Sequence, residues 1–183
     1  MKKMSTRARV LTGAVAVAMV GAGAVGAVSA NAEPANAPAA VKADAAKNNT
    51  VETSHLTIDA ATRAAEAALG AAEQAGQHVS VAVVDRNGNT VVTLRSDGAG
   101  PQSYDSAQRK AFTAVSWNAP TSELAKRLAQ TPNLKDIPGT LFLGGGAPVQ
   151  LKGAPIAGIG VAGAPSGDLD EQFAQVGAAA LAK

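Results

Sequence analysis

From Thr57 onward, apolar and polar residues alternate in two rhythms, long Ala-rich runs and short β-branched runs, separated by Gly, Pro and Asn. Thr57-Ile58-Asp59 opens the first helix, with Thr57 or Asp59 able to cap free backbone N–H groups, and the Ala-rich run ends at Gly76, a natural residue just past a helix. The run His78 to Val84 has strand composition, as does Thr90 to Leu94. Between them, Asp85-Arg86-Asn87-Gly88-Asn89 contains Asn-Gly, the strongest short hairpin signal. A second helix is predicted from Ser103 to Trp117 and a third from Thr121 to Leu128, with Pro132 and Pro138 breaking helix beyond it. Then come strand Thr140–Leu143, a Gly144-Gly145-Gly146 turn, strand Pro148–Leu151, a Lys152-Gly153 turn, strand Pro155–Ala162 and a closing helix from Asp168 to Ala182. Hairpins separated by helices predict an α/β domain of the α+β type, a largely antiparallel sheet with flanking helices.

The first thirty residues follow another pattern. Lys2, Lys3, Arg7 and Arg9 precede an uncharged stretch from Val10 to Val28 that ends in small residues, the pattern of a cleavable secretory signal. Cleavage after Ala30 or after Ala32 fits the small-x-small rule equally well. A retained anchor is the rival reading, but the stretch is mostly Ala, Gly and Val and makes a poor stop-transfer segment. Arg7 and Arg9 are not adjacent, so neither the general nor the twin-arginine export route is singled out. From Glu33 to about Ser54 the chain is Ala, Pro, Asn and scattered charge, too poor in large apolar side chains to offset its ordering entropy. The expected organisation is therefore a signal over 1–30, a flexible linker over 31–55 and one domain over 56–183. The expected location is outside the cell, with no stable membrane insertion once the signal is gone.

Charge then changes the reading of partners. The whole chain carries 16 basic and 14 acidic residues, a net of +2, but four of the basic ones lie in the signal, leaving twelve against fourteen, a net of −2. Nucleic acid is not an expected partner, because phosphate binding needs a Lys/Arg patch. There is no Cys, and the three Met residues, Met1, Met4 and Met19, all fall in the signal. The exported part holds no sulfur to form a disulfide or a sulfoxide, which suits an oxidising setting or redox chemistry and is equally accounted for by compositional drift.

Most chemical motifs fail on context. Gly158-Ile159-Gly160-Val161-Ala162-Gly163 spells a dinucleotide fingerprint, yet the acidic ribose ligand expected about 20 residues on has no chain to sit in. These glycines instead predict close approach of a backbone or a flat ligand to a strand. Asp85 to Asn89 has no calcium-loop spacing. Asp168, Asp170 and Glu171 form a carboxylate cluster that suits a hard cation or ferric iron; the plainer reading is that they complement the helix dipole. The richest segment is the Ser103–Trp117 helix, which holds three of the five aromatics beyond the signal. At helical spacing Ser106, Lys110, Thr113 and Trp117 share a face, with Arg109 beside it to reach a ligand's carboxylates. Such a face suits a flat anionic ligand; the competing reading is a core of Phe112 and Trp117 with solvated cations.

At these residues the chain resembles the GlcG/HbpS family. The resemblance runs through Val81-Ala82-Val83-Val84-Asp85-Arg86-Asn87-Gly88, Arg95-Ser96-Asp97-Gly98-Ala99, Lys110-Ala111-Phe112-Thr113-Ala114, Gly144-Gly145-Gly146-Ala147-Pro148-Val149, and Gly158 to Gly163 with Asp170-Glu171. It implies a single domain assembled into a homo-oligomer and, in a secreted branch, binding of haem and iron with redox signalling to a membrane sensor kinase in two-component fashion. It also implies a haem-binding role for Thr113. Haem iron ordinarily takes His, Cys, Met or Tyr, and beyond the signal only His55, His78 and Tyr104 remain from that set. If none of these ligates, a weak oxygen ligand such as Thr113 is expected. The readings carried forward are a haem sensor or carrier, a corrinoid or other small-molecule binding module, and a haem-linked peroxidase or haem-degrading activity. A separate iron ion at the carboxylates is a further expectation.

Overall fold

The computed structural model describes residues 42–182; the expected signal over 1–30 and residues 31–41 of the expected linker lie outside them. Residues 42–55 are exposed and carry one turn of 3-10 helix, Lys47–Asn49. No helix among the described residues is long and apolar enough to cross a membrane.

The domain proper holds helix α1 (Ile58–Gln74), strands β1 (Ser80–Asp85) and β2 (Thr90–Arg95), helices α2 (Pro101–Trp117) and α3 (Thr121–Lys126), strands β3 (Gly146–Leu151) and β4 (Ala154–Ala162), and helix α4 (Gly167–Ala179). The strands form one sheet in the order β2-β1-β4-β3 with every pairing antiparallel. This is the expected α+β architecture.

Strand periodicity separates the two faces. Val81 and Val83 of β1 and Ile159 and Val161 of β4 join the main core with α1 and α4. Ser80, Ala82 and Val84 point the other way, toward α2, where Ala82 meets Ala107 and Val84 meets Ala111 and Val115. The result is three layers, α2 on one side of the sheet and the α1–α4 pair on the other. Small residues set the layer spacing. A Cβ at Gly158 would overlap the carbonyl of Ala111, and one at Gly160 that of Ala107. The glycine strand is thus a seat for α2 itself. On the opposite face Gly177 lets α4 meet the Ala64 carbonyl of α1.

The caps follow the sequence. Thr57 Oγ1 accepts from Ala60 N at 3.2 Å, so Thr57 rather than Asp59 opens α1. Helix α2 begins at Pro101, two residues earlier than expected, because proline suits the first helical turn. Asn118 closes it in a left-handed conformation, φ 51°.

One expected strand is absent. Thr140–Leu143 runs as an irregular segment along α2. Two of its backbone groups are spent on that helix, with Leu141 N donating to Thr113 Oγ1 at 2.8 Å and Thr140 O accepting from Arg109 at 2.7 Å, while Leu143 N turns back to Leu141 O at 2.9 Å. Side chains of α2 thereby replace a ladder partner, and β3 begins only at Gly146.

Candidate functional site

The face of α2 read from helical spacing, with Ser106, Lys110, Thr113 and Trp117, does not face solvent as one surface. Lys110 is 2 % exposed; its Nζ donates to Asp170 Oδ2 at 2.7 Å and to Val161 O at 3.0 Å. Asp170 Oδ1 in turn accepts from Ala164 N at 3.0 Å. Burial pushes the Asp170 carboxyl above its ordinary range, and the Lys110 hydrogen bond and charge pull back without cancelling that rise. This buried ion pair ties α2 to the start of α4 and forms the floor of a hollow of about 350 Å³. Gln102, Ser103 and Ser106 of α2 line one wall, Ala162–Gly167 the other, and Leu143 the rim. Of the side chains expected to hold a flat ligand, Ser106 and Lys110 reach this hollow.

The remaining α2 residues go elsewhere. Thr113 is fully buried, and its hydroxyl donates to Arg109 O at 2.7 Å while accepting from Leu141 N. As placed, it fastens the segment before β3 to α2 and offers nothing to solvent. Arg109 spends one guanidinium N–H on Thr140 O and lines a separate open hollow with Phe112, Gln108 and Gly88. Trp117 packs edge-on against Phe142, with ring centroids 5.2 Å apart. Tyr104 is 46 % exposed on the outer side of α2.

The three carboxylates of α4 have separate fates, and only Asp168 stays at an exposed helix start; the cap is Ser166, whose Oγ accepts from Leu169 N. Asp170 also lies in the first turn of α4, as the dipole reading expects, but its carboxylate is spent on Lys110 and Ala164 N. Glu171 is buried and accepts from Ser122 N at 2.8 Å, Ser122 Oγ at 2.6 Å and Gly145 N at 3.3 Å, capping α3 from a distant element. Among the described residues, no group of three or more His, Asp or Glu is placed to hold a metal ion.

The two histidines sit apart. His55 Nε2 lies 2.9 Å from Thr53 Oγ1, and its Nδ1 is 3.8 Å from Asp85 Oδ2. Burial opposes ionisation of Asp85, yet hydrogen bonds from Asn89 and Asn87, with the His55 charge, hold its carboxyl below the ordinary value. His78 precedes β1 instead of opening it and lines a hollow of about 260 Å³ with Glu73, Gln77, Ser96 and Asp97.

Exposed imidazoles at His55 and His78 and the phenol of Tyr104 match the donor chemistry that haem iron takes. The hollow over the ion pair offers hydroxyls and an internally neutralised ion pair but neither imidazole nor phenol, and Arg109 lies in the other hollow. The sequence reading missed the Ala164–Gly167 wall and Leu143, although a Gly-Ala-Pro-Ser-Gly run between strand and helix marks a loop that frames a pocket.

A family model described as haem degrading protein HbpS-like matches residues 56–179. A crystal structure of a double mutant of Streptomyces reticuli HbpS is 75 % identical, covering 79 % of this chain and 99 % of that one, with a TM-score of 0.77. A crystal structure of PduOC in complex with haem is 29 % identical, covering 69 % of this chain and 95 % of that one, with a TM-score of 0.64. The corrinoid adenosyltransferase PduO of Citrobacter freundii is 28 % identical over 148 residues, which cover 78 % of this chain but 43 % of that protein.

Proposed function

The chain belongs to the HbpS-like family, and on that premise we propose that it is an exported haem-binding protein that senses or carries haem. The observation that carries this reading is the 75 % identity to HbpS across 99 % of the solved chain, supported by a more distant relative solved with haem. With no enclosed histidine among the described residues, haem sits at the surface, held by His55, His78 or Tyr104. A surface site exchanges its ligand readily, which suits sensing or transfer better than storage. In this reading Thr113 acts on haem binding through Leu141 and the segment it anchors. Assembly into a homo-oligomer and action on a membrane sensor kinase complete the proposal. The sulfur-free chain beyond Met19 is consistent with an oxidising location.

The test is a titration of hemin into the purified chain, followed in the Soret band, for wild type and for His55→Ala, His78→Ala, Tyr104→Phe and Thr113→Ala. A saturable shift is expected, with the ligating residue's variant changing the spectrum's shape and Thr113→Ala weakening affinity while keeping the shape. Absence of a saturable shift in wild type sinks the reading. The likeness to a corrinoid adenosyltransferase favours the second candidate, a corrinoid-binding module; a saturable cobalamin spectrum in place of a hemin one would establish it. Hemin consumption under reductant and oxygen, or peroxide turnover by the hemin-loaded protein, would make it an enzyme.

A further inference from the structure

The turn between β1 and β2 holds an Asn-Gly pair whose chemistry the functional reading leaves unused. Asn87 is exposed. In a flexible chain the amide nitrogen of the following glycine attacks such an asparagine's side-chain carbonyl carbon, because glycine has no side chain to obstruct the approach. Here that nitrogen is committed. Gly88 N donates to Asp85 O at 3.0 Å, and Gly88 sits at φ +89° with the Phe112 ring against it. The neighbouring amides converge on one carboxylate: Asn87 N and Asn89 N donate to Asp85 Oδ1 at 2.8 and 2.9 Å, and Asn89 Nδ2 donates to Oδ2 at 3.1 Å. Asp85 N donates to Asn89 O at 2.8 Å and closes the loop.

We propose that Asn87 is a latent deamidation site that Asp85 guards, its carboxylate and carbonyl holding the turn closed so that the Gly88 nitrogen cannot reach the Asn87 side chain. Reaction occurs when the turn opens. The Gly88 nitrogen loses its proton to solvent and bonds to Asn87 Cγ, the Cγ–Nδ2 bond breaks, and ammonia leaves with a proton. Water then opens the cyclic imide at either carbonyl to give aspartate or isoaspartate, with no oxidant or reductant involved. Either product places a new carboxylate beside Asp85, and isoaspartate adds a carbon to the backbone of a turn whose register is fixed by β1–β2 pairing and by Phe112 on Gly88. Damage at this turn would therefore reach α2 through Phe112.

The experiment incubates the full chain in mildly alkaline buffer and follows deamidated peptide 87–88 by mass spectrometry, with isoaspartate scored by isoaspartyl methyltransferase labelling. Wild type, Asp85→Ala and Asp85→Asn are compared, with Asn87→Ser to confirm the site, and circular dichroism to show that each variant stays folded. Hydrogen bonds to a charged carboxylate shift the opening equilibrium by roughly tenfold or more, so Asp85→Ala is expected to deamidate at Asn87 about tenfold faster or more, with Asp85→Asn between it and wild type. Equal rates in folded wild type and folded Asp85→Ala would overturn the proposal, as would wild-type protein reacting as fast as the urea-unfolded chain. Should the Ala variant unfold, the Asn variant and the comparison of native with unfolded wild type decide it alone.

Discussion

Lys110 Nζ lies 2.7 Å from Asp170 Oδ2, sixty residues away in sequence, and both side chains are buried. The pair joins the helix on one face of the sheet to the helix that starts at its far end. Breaking it leaves a largely buried charge without its partner, a loss of about 3–5 kcal/mol. Lys110→Met and Asp170→Leu should each lower the unfolding free energy read from urea titration by that much, whereas the double variant should recover most of the loss. A double variant as unstable as the sum of the singles would show that the two groups act separately.

Acid should act on two carboxylates with opposite signs. Asp85 has its pKa held below the ordinary 3.8, so its contribution is present above that value and is lost as pH falls through the lower folded value. Asp170 is raised above 3.8, so between the two values the native state binds the proton more tightly than the unfolded chain. Its contribution is complete below 3.8 and declines as pH rises through the folded value. Urea midpoints measured across the acid range should therefore lose their low-pH fall in part in Asp85→Asn, and steepen in Asp170→Asn, which removes the opposing group.

The glycine seat beneath α2 can be tested by adding one methyl group. Gly160→Ala places a Cβ on the Ala107 carbonyl and should cost about 1–3 kcal/mol or more, since backbone must move to make room. Gly70→Ala, half-buried in the middle of α1 but with open space where its Cβ would go, should instead stabilise by roughly 0.5–1 kcal/mol. Thermal unfolding of the two variants reads both signs in one comparison.

Thr113 links the helix to the segment that failed to become a strand. Thr113→Val keeps the shape but leaves Leu141 N without its acceptor, at a cost of about 1–3 kcal/mol. Amide exchange at residues 139–143 should accelerate in Thr113→Val and stay near wild type in Thr113→Ser. Unchanged exchange in the valine variant would refute the anchoring role.

How far the sequence could be read depended on whether the deciding interactions were local. The Asn-Gly turn, the Thr57 cap and the Lys152-Gly153 hairpin were legible because each rests on the backbone preferences of two or three adjacent residues, here borne out by Gly88, Lys152 and Gly153 at positive φ. Thr140–Leu143 was misread because its β-branched and apolar composition is that of a strand, while its actual partners, Arg109 and Thr113, lie about thirty residues upstream. Lys110 was read as a cation for a ligand for the same reason: helical spacing places it on a face, but spacing carries no information about which carboxylate that face meets.

Apart from Thr140–Leu143, the sequence by itself determined the element types, and with them the antiparallel α+β class and the family, since periodicity, caps, turns and ordered motif blocks are written into neighbouring residues. Only the tertiary structure decided which side of each element was covered. It turned the glycine fingerprint into a seat for α2, Glu171 into a cap for α3 and the Lys110–Asp170 pair into the floor of a hollow. Those outcomes depend on packing between segments fifty or sixty residues apart, where burial and hydrogen-bond geometry, rather than local propensity, set the energy.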